Sequence, residues 1–288
     1  MSKIQIITDS ASDISEADEK RCNISVLPFQ VIIGDKSYTS RVDLTNAQFY
    51  ELMEQYDEIP KTSQITPYEF QELYLKQAKA GVTDLILVLI NSKGSTTYDN
   101  SRMAKDLFFE EHPEYQDTFH IYNIDGMGYS FFYGSPVVEA AKMLEQGASA
   151  DEIAAYLTGI LPRRQVYFGI YTLKYAGKSG RIPSAAAFIG DKLNLKPVMK
   201  IHNREVQTAA KCRGEHNLIA KIAELSAAEL EPGTPYEVAY GSDPACLEEI
   251  TEAMTKRLGY GPSAVYQIGA AIAANCGPKA VGVGFICK

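Results

Sequence analysis

Tryptophan is absent from these 288 residues, and histidine occurs only four times. The histidines show no HxxH or HExxH spacing, so no zinc signature is present and no metal site is expected. Cysteine is sparse and odd in number: Cys22, Cys212, Cys246, Cys276 and Cys287. These five are scattered, with no CxxC, which predicts reduced thiols and a cytoplasmic location rather than a disulfide framework. Basic charge is also short. Lys and Arg number 28 against 36 Asp and Glu, a net charge of −8, and no basic block occurs. That balance argues against nucleic acid as a partner and against a surface drawn to anionic lipid. No apolar run reaches membrane-spanning length, so no stable membrane insertion is expected. Met1-Ser2-Lys3-Ile4 enters a strand almost at once, which leaves no room for a signal peptide. Internal repeats and low-complexity linkers are missing as well.

What is present is a sizeable apolar fraction, 45%, in a chain long for one core and short for three. Two domains are expected, divided near Leu161-Pro162-Arg163-Arg164 into residues 1–162 and 163–288. The most informative junction is the apolar run at residues 85–90, which ends abruptly in Asn91-Ser92-Lys93-Gly94-Ser95-Thr96-Thr97-Tyr98. The run reads as a strand buried on both faces. A helix should follow, with Tyr98, Met103, Ala104 and Leu107 at helical spacing. A strand feeding a hydroxyl-rich helix start is where α/β proteins place ligands, and the N–H groups of such a start attract anions.

Strands are expected at residues 4–7, 26–33 (interrupted by Pro28), 120–124, 166–173, 236–240, 264–268 and 281–286. Asp43-Leu44-Thr45 opens a helix with Phe49, Leu52 and Met53 on one face. Thr66-Pro67-Tyr68-Glu69 combines a Thr cap, Pro at the first helical position and Glu at the third, in a helix that stops at Gly81. Further helices are expected at 135–146, at 150–161 and from Asp243-Pro244 onward. Ile201 to Val206 reads as a hairpin turning at Asn203-Arg204. Strand–helix alternation in the first half predicts a largely parallel sheet covered on both sides; hairpins mixed with helices predict an α+β second domain.

Three strands of the first half end in polar residues, Asp9-Ser10, Asn91-Ser92 and Asp125, which a parallel sheet brings to one edge. Lys61-Thr62-Ser63-Gln64, read as a loop, adds hydroxyls. A floor of neutral donors suits a carboxylate better than a polyphosphate, which recruits Lys, Arg or Mg²⁺. Blander readings stand beside this one. The hydroxyls are ordinary caps, the aspartates cap helices or fill turns, and Gly177-Lys178-Ser179-Gly180-Arg181 is a surface turn or an anion or partner contact. An enzyme is the alternative: a hydrolase with Ser95 as nucleophile, or a Mg²⁺-dependent phosphotransferase using Asp9, Asp13 and Asp125. Neither a Gly-x-Ser-x-Gly elbow nor Gly-x-x-x-x-Gly-Lys accompanies them. A third reading is an interaction module with a filled core.

Several segments, in order, carry a resemblance: Ile7-Thr8-Asp9-Ser10-Ala11-Ser12-Asp13, Thr62-Ser63-Gln64, Ser95-Thr96-Thr97-Tyr98, Leu173-Lys174-Tyr175-Ala176-Gly177-Lys178-Ser179-Gly180-Arg181-Ile182, Leu195-Lys196-Pro197-Val198 and Lys211-Cys212-Arg213. From near residue 3 to the C-terminus the chain resembles the DegV family of bacterial fatty-acid-binding proteins. The resemblance implies a two-domain α/β protein of the DegV (EDD) fold: an N-terminal, largely parallel α/β/α sheet domain plus a C-terminal α+β domain. One long-chain fatty acid, palmitate-like or oleate-like, would lie between them. It implies a carrier without catalytic residues or cofactor, which presents the fatty acid to a separate fatty acid kinase subunit for phospholipid synthesis. It places carboxylate binding on Thr62 and Ser95, with Ser63 and Thr96 beside them, and partner docking on Arg213. Three departures stand out. Thr96 replaces a usual Gly in the Ser-Gly-Thr-Tyr pattern, which narrows the head-group pocket. Asn275 stands where the family's head-group network has His; Asn can donate a hydrogen bond but carries no charge. Lys279 adds a cation where Gly is usual. The tunnel walls suggested by composition are residues 184–189 and 268–272.

Overall fold

The computed structural model describes residues 2–182 and 195–288. The first half runs β1 (Ile4–Asp9), α1 (Glu16–Arg21), β2 (Ser25–Leu27), β3 (Gln30–Ile33), β4 (Lys36–Thr39), α2 (Asn46–Gln55), β5 (Lys61–Ser63), α3 (Pro67–Lys79), β6 (Asp84–Leu89), α4 (Thr97–Glu111), β7 (His120–Asp125), α5 (Phe131–Glu145) and α6 (Ala150–Ile160). The second half runs β8 (Arg164–Ile170), α7 (Leu173–Ser179), β9 (Leu195–His202), β10 (Glu205–Arg213), α8 (His216–Glu229), β11 (Tyr236–Tyr240), α9 (Pro244–Leu258), β12 (Ala264–Gln267), α10 (Ala270–Cys276) and β13 (Ala280–Ile286).

Four strands pair in parallel in the order β2-β1-β6-β7. The unbroken apolar run of β6 follows from cover on both faces. Leu85, Leu87 and Leu89 pack with Phe70 and Tyr74 of α3 and Phe108 of α4. Ile86, Val88 and Ile90 face a second core with Val137 of α5 and Ile153 of α6. Helix starts are locally encoded. Thr66 and Glu69 form a reciprocal capping box ahead of Pro67, and Thr45 and Gln48 do the same for α2, each cap contributing about 0.5–2 kcal/mol.

The second sheet has six strands, β10-β9-β8-β13-β11-β12, antiparallel except for β11 with β12. Alternation along β13 divides its residues cleanly. Val281, Val283 and Phe285 pack with Leu218 and Ile222 of α8 and Ile250 and Met254 of α9. Ala280, Gly282 and Gly284 occupy the other face, toward the first half. The hairpin of β9 and β10 turns where expected, with positive φ at Asn203 and Arg204 (47° and 67°), the backbone of a type I′ turn.

Four expectations need correcting. Residues 26–33 form two strands in different sheets: β2 joins the parallel sheet, and β3 pairs with β4 and β5 in a small three-stranded sheet. Residues 61–63 are thus strand, not loop, because β3 offers them an edge. Leu173 begins α7 instead of ending a strand, since Thr172 caps the Lys174 N–H. The inward face of α4 is Thr97, Ser101, Ala104 and Phe108; Met103 and Leu107 are 55% and 37% exposed. The small and polar inward residues disguised that face. A helix at α8 is an addition for which no expectation existed.

Candidate functional site

In the parallel sheet the chain leaves β1 toward β2 on one side and β6 toward β7 on the other. The crevice beyond the carboxyl ends of β1 and β6 is therefore the switch point where such sheets receive ligands. The three polar strand ends do converge there. Asp9 accepts the Ile90 N–H (2.7 Å), the Ala11 N–H (3.0 Å) and the Tyr133 hydroxyl (2.5 Å). Asp125 accepts the Ser92 hydroxyl (2.6 Å), the Met127 N–H (2.9 Å) and Arg204 Nε (2.6 Å). Asp13 accepts the Ser130 hydroxyl (2.5 Å) and the Gly269 N–H (2.9 Å). All three carboxylates hold the loops around the crevice in place. Among the described residues, no three His, Cys, Asp or Glu side chains come together as a metal site.

Burial sets the electrostatics. It pushes the Asp9 carboxyl up to about 6 and that of Asp13 up to about 7, against the bonds from Tyr133 and Ser130 that favour the charged forms. The folded protein therefore holds these protons more tightly than the unfolded chain does. Their contribution to stability is complete below about pH 4 and is lost as pH rises through 6 to 7. Asp13→Asn should flatten that loss, because Asn keeps the acceptor for Gly269 and tolerates the left-handed backbone at this position (φ 54°). Urea unfolding at pH 5 and pH 8 should show the wild type losing more stability between the two than the variant, by on the order of a few kcal/mol. Equal losses would show that Asp13 is ionised at little cost.

Above this frame lies a cavity of about 680 Å³. Thr62, Ser95, Thr96 and Asn275 all line it; Ser63 does not. Thr62 stands opposite Val31 and borders both this cavity and a second depression, whereas Ser63 lines the second, with Pro28 and Glu69. Arg213 lies elsewhere, exposed at the end of β10. Lys279 bonds Glu215 and Asp243 and covers the Tyr171 ring, and is not part of the lining. Of the suggested walls, Ile268, Ala271 and Ile272 line the cavity, while residues 184–189 lie outside the described residues.

The Ser95 hydroxyl is oriented by a residue that sequence reasoning missed. Thr97, fully buried, accepts the Ile65 N–H (3.3 Å). Its hydroxyl is 2.9 Å from Ser95 Oγ, and its N–H donates to the same oxygen (3.3 Å). Either hydroxyl can donate in the first contact; the Thr97 N–H fixes the position of Ser95 Oγ whichever one does. Among the described residues no histidine lines the cavity, and the side-chain partner of Ser95 is the Thr97 hydroxyl, not an acid–base group. Gly94 lets the Tyr129 hydroxyl approach: a Cβ would stand 2.1 Å from it, so a side chain here would displace that ring. Asn275 spends one N–H on the Ala271 carbonyl (3.0 Å).

The cavity changes character with depth. Gln64, Lys93, Thr96, Arg181 and Glu205 are exposed and mark its mouth, whereas Phe131, Ala239 and Ala280 are buried and mark its inner end. Gly177 to Arg181 is not a surface turn; α7 ends there in left-handed Gly180, and Ser179, Gly180 and Arg181 reach the mouth. The hairpin tip closes one side. Asn91 Nδ2 donates to the Arg204 carbonyl (3.0 Å), the Arg204 N–H to the Met127 carbonyl (3.2 Å), and Lys93 pairs with Glu205.

A family model described as "Uncharacterised protein, DegV family" matches residues 3–288. A DegV domain-containing protein of Caldanaerobacter subterraneus is 31% identical over 291 residues, covering 99% of each chain. Among solved structures, a DegV family protein from Thermus thermophilus, described by its fatty acid binding, superimposes with a TM-score of 0.85. It has 26% identity, over 99% of this chain and all of that one. A stearic acid-binding protein from Eubacterium ventriosum gives a TM-score of 0.89 at 23% identity, over 100% and 99% of the two chains; that likeness shows the fold.

Proposed function

This chain belongs to the DegV family, and from that premise we propose that it is a carrier holding one long-chain fatty acid between its two domains, divided near residue 162. The observation that carries this reading is the graded cavity, with the Thr62 and Ser95 hydroxyls near its mouth and apolar side chains at its inner end. A tail gains roughly 0.8 kcal/mol per buried CH₂. That gain survives only if the carboxylate keeps hydrogen bonds, since an unpaired buried charge costs more than the tail returns. Thr62, Ser95 and Thr96 are the donors in this reading, with one N–H of Asn275. Arg181 at the mouth supplies the positive charge that Asn275 does not. The fatty acid binding of the Thermus relative supports the choice of ligand.

The reading keeps chemistry out of the carrier itself. The side-chain partner of Ser95 is the Thr97 hydroxyl and the three aspartates are committed to loop hydrogen bonds, which weighs against the hydrolase and the phosphotransferase. A cavity of about 680 Å³ with buried apolar lining at one end weighs against an interaction module with a filled core. Delivery to a separate fatty acid kinase in the cytoplasm completes the proposal, with exposed Arg213 as the docking residue. Lipid extracted from the purified protein under denaturing conditions should contain fatty acid at close to one per chain by mass spectrometry. Lipid-free protein that also takes up neither palmitate nor oleate would refute the proposal.

A further inference from the structure

We propose that Gly282 sets how far an acyl tail enters the cavity and so determines the chain length accepted; this rests on the fatty-acid reading above. Gly282 lies in the middle of the six-stranded sheet, opposite Phe168 of β8 and Ala239 of β11, and all three line the cavity. Two glycines of β13 on this face have different reasons to be there. At Gly284 a Cβ would stand 2.5 Å from the Phe131 ring, so packing demands glycine. At Gly282 a Cβ would meet Phe168 Cβ at 3.2 Å, the Tyr167 carbonyl at 3.3 Å and Val166 Cγ1 at 3.6 Å. Those contacts are tight but need only small shifts, and φ is not positive there. Neither the backbone nor a severe clash forbids a side chain at 282. What its absence leaves is open cavity over bare sheet, at the buried end.

The dimensions agree with a tail laid across the strands. Lining residues step from Val206 (β10) to Ile201 (β9), Val166 and Phe168 (β8), Gly282 and Ala280 (β13) and Ala239 (β11). Five adjacent strands leave four gaps of ~4.8 Å, a path of ~19 Å. Carbon–carbon bonds of about 1.5 Å at tetrahedral angles advance ~1.25 Å each, so that path takes a straight chain of about sixteen carbons. The path ends over Gly282 and Ala239, and a methyl terminus of that length would rest there. The buried Arg164–Glu237 ion pair adjoins Phe131, whose carbonyl Arg164 Nη2 reaches at 3.4 Å.

Displacement of a fluorescent fatty acid by laurate, palmitate and stearate tests this in wild type, Gly282→Val and Ala239→Val. The valine at either position fills the inner end from neighbouring strands. The ratio of stearate to laurate affinity should fall by roughly tenfold or more, the loss of about two buried methylenes, while laurate affinity holds. Should one variant fail to fold, as judged by circular dichroism, the other decides. An unchanged ratio in the folded variants, with wild type binding palmitate, overturns the assignment of Gly282 and leaves the carrier intact. Wild type that binds none of the three acids overturns the carrier reading itself.

Discussion

Thr62→Ala combined with Ser95→Ala should weaken palmitate binding about a hundredfold. A hydrogen bond to a charged group contributes roughly 1.5–3 kcal/mol, and the pair removes two of them, or about 3 kcal/mol at the lower limit. The loss should be nearly independent of chain length, because the variants touch the head and leave the tail in place. Thr62 is half-buried on β5 and Ser95 half-buried ahead of α4, so neither substitution empties a core position and the fold should hold. Isothermal titration with palmitate and with laurate checks both statements. Unchanged affinity would move the carboxylate away from these two hydroxyls. Thr97→Val offers a related measurement: it removes the hydroxyl that orients Ser95 while keeping the side-chain shape, and should give a smaller loss of the same kind.

Glu237→Ala should destabilise the protein by about 3–5 kcal/mol, because it strands a buried guanidinium. The Arg164 and Glu237 side chains are 5% and 6% exposed, 2.9 Å apart at their closest. Ser135 donates to the same carboxylate (2.6 Å), and Arg164 Nη2 reaches the Phe131 carbonyl (3.4 Å). Among the described residues Arg164 Nε has no hydrogen-bond partner even in the intact pair. With Glu237 gone, the cation would keep only that long bond. Replacing both residues with apolar ones of similar size should restore most of the loss, as is common for buried pairs. Urea unfolding measures both variants. A cost below about 1 kcal/mol for Glu237→Ala would show that water reaches this site.

The fold was legible where the cause is local. The capping boxes at Thr45 and Thr66, the double-faced run of β6 and the turn at Asn203-Arg204 all depend on residues within a few positions of each other. The small sheet was not, because β5 exists only through pairing with β3, about thirty residues away. Its pairing is what places Thr62 on the cavity and Ser63 off it, so the two adjacent hydroxyls could not be separated from sequence. Thr97 escaped for a similar reason: its partner, the Ile65 N–H, arrives from another strand–helix junction. A signal was present, since Ser95-Thr96-Thr97 is a run of hydroxyls too dense for one cap. The inward face of α4 was misread because hydrophobicity marked Met103 and Leu107, while packing chose Ala104, Phe108 and two hydroxyls.

The floor made by Val166, Phe168, Gly282, Ala280 and Ala239 has no polar side-chain atom, and its strands satisfy one another's peptide groups. Such a surface is indifferent to where along it each methylene rests. It is intolerant of oxygen. A hydroxyl part-way down an oxidised tail would give up water and find nothing in exchange, at about 1–3 kcal/mol, so ricinoleate should be refused where oleate is taken up.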